Sequence, residues 1–126
     1  MKHILLALLL TVVTTAHAFP TWTMVKDNNI ATAYININTI PDHAMVVTIW
    51  LLVDFKKQQG KWWSSTIQEK YDCEHRLQKT LTVTVFTEHM GRGDSHLMVL
   101  PPNLMKWHRF VPDSDAENIW HIACNK

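Results

Sequence analysis

The sequence predicts an α+β domain: an antiparallel sheet of about five to six strands, with one C-terminal α-helix packed on it and a disulfide joining the two. Three observations carry this. Apolar and β-branched residues recur in short alternating runs from residue 22 to residue 100. A single stretch at helical spacing closes the chain. The only two cysteines, Cys73 and Cys124, fall in a strand and in that helix.

Residues 22–25 form a first short strand, and Lys26-Asp27-Asn28-Asn29 a turn. Residues 31–37 alternate, with Ala31, Ala33, Ile35 and Ile37 on one side, and Pro41-Asp42 breaks the run. Residues 43–55 hold Val46, Val47, Ile49, Trp50, Leu51, Leu52 and Val53. They are apolar on both faces, which fits a central strand covered on both sides. Residues 56–61, with Gly60, make a hairpin connection. Residues 62–74 separate cleanly into two faces. Trp63, Ser65, Ile67, Glu69, Tyr71 and Cys73 form the inward face, and Trp62, Ser64, Thr66, Gln68, Lys70 and Asp72 the outward one. Residues 78–88 alternate again, with Leu81, Val83 and Val85 inward and Thr80, Thr82 and Thr84 outward. Gly91-Arg92-Gly93-Asp94 is a turn. Residues 96–100 form a last strand, which Pro101-Pro102 ends.

Ser114 and Glu117 stand three apart just after Pro112, the pattern of a capping box. Ala116, Ile119, Trp120 and Ala123 then share one helical stripe, with Cys124 beside it.

The N-terminus reads as a secretory signal over residues 1–18. Lys2 precedes an apolar run over residues 4–13, and Ala16-His17-Ala18 places small residues where a signal peptidase reads them. Cleavage is expected after Ala18, leaving one domain over residues 19–126. The run is about half the length that spans a bilayer, so no membrane span is expected in the mature chain. No cysteine lies near the cut, so the chain is not expected to be a lipoprotein. The expected location is the periplasm or the exterior, where disulfides persist. A Cys73–Cys124 bridge would close a loop that the chain-entropy model values at roughly 4 kcal/mol.

Formal charge is +1 over the whole chain and zero once Lys2 is removed, which argues against nucleic acid as a partner. Six tryptophans are many for this length; any left exposed are candidate contact residues. No nucleophile elbow, P-loop or dinucleotide fingerprint occurs, so no catalytic residue and no cofactor is assigned and the chain reads as a non-enzyme. Cys73-x-His75 and His121-x-x-Cys124 offer an alternative: two sulfurs and two nitrogens that could hold zinc if the thiols stayed reduced. An oxidised sulfur is not a thiolate ligand, so the two readings compete. Arg92-Gly93-Asp94 matches the tripeptide that integrin receptors recognise. Gly91 and Gly93 are better accounted for by a tight turn.

Several segments resemble the bacterial surface-adhesin E family. They are Leu52-Val53-Asp54-Phe55; Glu69-Lys70-Tyr71-Asp72-Cys73 with Arg76; Met90-Gly91-x-Gly93; and Trp107 followed by Val111-Pro112-x-Ser114-x-x-Glu117-x-x-Trp120-x-x-Ala123-Cys124. The resemblance implies an antiparallel sheet with a helix across it. It also implies an adhesin-like role toward host matrix or serum proteins, and a homodimer. Two features depart from the family pattern: Lys70 separates Glu69 from Tyr71, and no lipid-acceptor cysteine follows the signal. No binding residue carries over, because the shared motif is mostly core and bridge. The alternative function is a periplasmic protein that binds a small ligand or a metal in the sheet–helix crevice.

Overall fold

The computed structural model describes residues 21–125. The signal segment 1–18 and its cleavage point after Ala18 lie outside the described residues. Among the described residues, seven strands form one antiparallel sheet: β1 (Thr23–Asp27), β2 (Ala31–Ile35), β3 (Val46–Gln59), β4 (Trp62–Asp72), β5 (Leu77–Phe86), β6 (Ser95–Leu97) and β7 (His108–Arg109). Neighbours in sequence are neighbours in the sheet from β1 to β6, and β7 also pairs with β5. β6 and β7 therefore share one side of β5: β6 takes its Thr84–Phe86 end and β7 its Leu77–Gln78 end. One helix, α1 (Asp115–Cys124), lies across the sheet.

Strand alternation puts Val47, Ile49 and Leu51 of β3 on the same face as Tyr71 of β4, and Ile35 of β2 joins them through its pairing with Leu51. This face meets α1. Ile35, Ile40, Val47, Ile49, Leu51 and Tyr71 are buried there, together with Ala123 of the helix. Burying apolar area, at ~25 cal/mol per Å², helps to hold the helix to the sheet.

The helix begins as its sequence signals. Ser114 is the N-cap and accepts from the Glu117 backbone N–H, while its hydroxyl donates to the Val111 carbonyl. Two links then pin it to the end of β4. The Trp120 indole donates to the Asp72 carbonyl at 3.1 Å, and Cys73 and Cys124 form the disulfide, with Cα atoms 5.4 Å apart. Arg76, in the β4–β5 turn, stacks 4.4 Å above the Trp120 ring and pairs with Glu117 at 3.2 Å.

The strands differ from the sequence reading in detail: β1 runs on to Asp27, β6 ends at Leu97 and β7 is additional. β3 does not stop at Phe55 but runs to Gln59: the Lys56 N–H donates to the Ile30 carbonyl, and Gln59 pairs with Trp62 of β4. β2 ends at Ile35, and a 3-10 turn at Ile37–Thr39 takes the chain away from the sheet. β4 ends at Asp72, whose carboxylate accepts from the N–H groups of Glu74 and His75 and starts the turn. In β5 the register slips between Gln68–Thr82 and Glu69–Thr80. This leaves Leu81 as the extra residue of a bulge, so Thr80 and not Leu81 shares the helix-side face, and Thr80 is buried.

Candidate functional site

Two surfaces stand out, one on each face of the sheet. The first is a crevice of about 420 Å³ between the sheet and α1. Ala33, Leu51, Val53 and Ile67 line its floor, and Ala116, Ile119 and Ile122 its roof. Ala33 on the sheet and Ala116 on the helix are the short side chains of this lining. At the rim, Lys26 of β1 and Asp115 of the first helical turn form an ion pair at 2.6 Å.

Within this apolar lining sit Glu69 and Tyr71, two apart on β4 and so on one face. The Tyr71 hydroxyl donates to Glu69 Oε2 at 2.6 Å. Burial pushes the Glu69 carboxyl above the usual carboxylate range, partly offset by the hydrogen bond from Tyr71. Burial, reinforced by the neighbouring carboxylate, pushes the Tyr71 phenol far above its ordinary value. The sequence placed Glu69 on the inward face without marking it as a site. The signal was there: one acid inside a row that otherwise reads Ile67, Tyr71, Cys73.

The second surface is the opposite face near the β5 edge. Leu97, Met98, Val99 and Met105 are exposed, with Val99 at 96%. They border a shallow hollow of about 280 Å³ that Leu81 and Thr82 of the bulge also line. Trp50 and Trp107 are the most exposed of the tryptophans, and Lys79 lies 4.7 Å over the Trp107 ring. Between the β6 and β7 pairings, β5 has no partner strand along residues 79–82 on its side away from β4. Part of this face is closed instead by the turn His89–Gly91. The Gly91 N–H donates to Ser64 Oγ, which donates to the Glu88 carbonyl, while Asp54 holds the Met90 N–H and the His89 ring. Leu52 and Ser64 are thereby fully buried, although the alternation had put Ser64 outward.

Cys73 and Cys124 meet as a disulfide, whereas the two histidines of the zinc alternative go elsewhere. The His75 ring contacts Asp72 at 3.0 Å, and His121 lies 4.0 Å from Glu117 and edge-on to Trp120. Among the described residues, no group of three or more His, Cys, Asp or Glu side chains is gathered as a metal would need. Arg92-Gly93-Asp94 forms the tight connection between β5 and β6, where the Thr87 and Glu88 N–H groups donate to the Asp94 and Arg92 carbonyls. No described helix is long and apolar enough to cross a membrane.

Solved structures share this architecture. The selenomethionine form of Haemophilus influenzae protein E superposes with a TM-score of 0.62 at 17% identity, over 86% of this chain and 89% of that one. Protein E from non-typeable Haemophilus influenzae gives 0.61 at 18% identity, over 87% of this chain and 79% of that one. No curated protein matches. At such identities these structures speak to the fold. The family model for surface-adhesin protein E matches residues 22–125, which takes in every strand, the helix and both cysteines, and so the chain belongs to the surface-adhesin protein E family.

Proposed function

We propose that this protein is exported by its 1–18 signal, cleaved after Ala18 and left without a lipid anchor, and that it serves as a non-enzymatic protein-binding domain of the cell envelope. Its partners are host matrix or serum proteins, as the family membership suggests. The observation that supports a binding surface is the apolar patch formed by Leu97, Met98, Val99 and Met105 beside the unpaired stretch of β5. Apolar side chains grouped on a surface favour association. A strand edge with free N–H and C=O groups adds a template for main-chain pairing. The same patch would serve a homodimer.

The test is solid-phase binding of the oxidised protein to vitronectin and laminin, with Leu97→Glu and Val99→Glu as variants. Saturable binding that either charge weakens supports the reading. No saturable binding, with the protein fully protected from protease in intact cells, overturns it. Protein that keeps residues 1–18 would overturn the export step separately.

A further inference from the structure

We propose that the sheet–helix crevice is a binding site for a small amphipathic amine, with its apolar body held between sheet and helix and its ammonium group at Glu69. The volume of about 420 Å³ lies in the range of small-molecule sites, which are apolar with a few placed polar groups. The polar groups here decide the ligand's charge. Glu69 Oε2 accepts from Tyr71, and no other described group donates to the Glu69 carboxylate. Lys26, the cation that lines the crevice, is already paired with Asp115 at the rim. His108, which acts on Glu69 electrostatically, has its ring committed to Gln78 and to the Lys106 carbonyl.

The crevice thus holds a recessed carboxylate with one neutral donor and no cation in contact. A carboxylate ligand would set like charges together in a weakly solvated space. A neutral ligand would strip water from Glu69 and return no charge. An ammonium group supplies both the missing charge and a donor for the open lone pairs, and a charge-assisted bond of that kind is the stronger sort. The apolar residues around it, Leu51, Val53, Ile67, Ile119 and Ile122, suit a hydrocarbon or aromatic body. The protein-binding patch lies on the other face of the sheet, so the two sites are separable.

The experiment titrates the oxidised protein with 4-phenylbutylamine, 4-phenylbutanol and 4-phenylbutyrate, following the methyl signals of Ile67, Ile119 and Ile122 by NMR. The amine is expected to saturate and to move those methyls. The alcohol should bind about ten- to a hundredfold more weakly, as expected for one lost bond to a charged group. The carboxylate should bind more weakly still. Glu69→Gln should bring the amine down to the level of the alcohol, and Ala116→Leu should fill the space and weaken all three. Equal binding of amine and alcohol by the unaltered protein overturns the proposal, and so does the absence of binding at millimolar amine. Those two outcomes need no variant to fold. Undiminished amine binding by a folded Glu69→Gln protein overturns it as well.

Discussion

The Tyr71 hydroxyl donates a 2.6 Å hydrogen bond to the carboxylate of Glu69, its neighbour two positions back on the same strand face. Burial raises the pKa of both groups. A group that holds its proton more tightly in the folded state gives stability that is fully present below its unfolded pKa. That stability is lost as pH rises through the folded pKa. For Glu69 the loss begins near the unfolded value of about 4.3 and continues upward. The urea midpoint of Glu69→Gln minus that of the unaltered protein should therefore grow as pH rises from acid toward neutral. A flat difference would show that Glu69 ionises as freely folded as unfolded. Tyr71 adds a second loss above the ordinary phenol range of about 10.

Tyr71→Phe keeps the ring and removes the donor. The carboxylate is then left without a protein partner, at a cost of about 1–3 kcal/mol in denaturant unfolding at neutral pH. The cost should shrink in acid, where Glu69 is protonated. In Glu69→Gln it should fall toward that of an ordinary neutral hydrogen bond, which makes the pair suitable for a double-mutant cycle.

The Cys73–Cys124 bridge spans 51 positions of sequence. Replacing both cysteines by Ala should cost about 4 kcal/mol and lower Tm by roughly 15–30 °C for a domain of this size. Since the bridge ties the last turn of α1 to the end of β4, hydrogen exchange should accelerate first in the helix. Uniform acceleration across the whole sheet would place the bridge's effect in global stability alone.

Ser64 is fully buried and holds the His89–Gly91 turn over the sheet. Ser64→Ala leaves the Gly91 N–H and the Glu88 carbonyl unpaired, and should cost about 1–3 kcal/mol, with faster exchange at Gly91. The nearby glycines should differ. Both have positive φ, but a Cβ on Gly91 meets Leu52 and Thr66 at ordinary contact, 3.6 and 3.7 Å, while one on Gly93 meets Thr87 Oγ1 at 2.5 Å. That hydroxyl accepts from the Asp94 N–H. Gly91→Ala should therefore cost about 1 kcal/mol from backbone strain. Gly93→Ala should cost more, because Thr87 must move as well; equal midpoints for the two would contradict the contact.

Arg76 lies over the rings of Trp120 and Phe110 and pairs with Glu117. Lysine keeps the charge but not the planar stacking, so Arg76→Lys should destabilise nearly as much as Arg76→Ala, by about 1 kcal/mol in either case. Full stability in the lysine variant would assign the contribution to the ion pair instead.

The sequence by itself determined the elements whose causes are local. Period-two alternation set the inward row of β4, from Ile67 through Tyr71 to Cys73. The Ser114–Glu117 spacing and the stripe of Ala116, Ile119 and Ala123 set the start and the buried side of the helix. Two cysteines in a chain read as exported left one pairing available. Only the tertiary structure decided the rest, because each remaining feature depends on residues far apart in sequence. β3 runs on through Phe55 and Lys56 because Ala31 and Ile30 pair there. The bulge that moves Leu81 and buries Thr80 arises where β5 is fitted against β4. Ser64 reads outward by alternation, yet a turn 24 residues later closes over it. Glu69 was visible as an acid in an apolar row, but the space around it is set by how α1 lies over the sheet. Alternation reports which side of a strand a residue takes; what covers that side is set by packing.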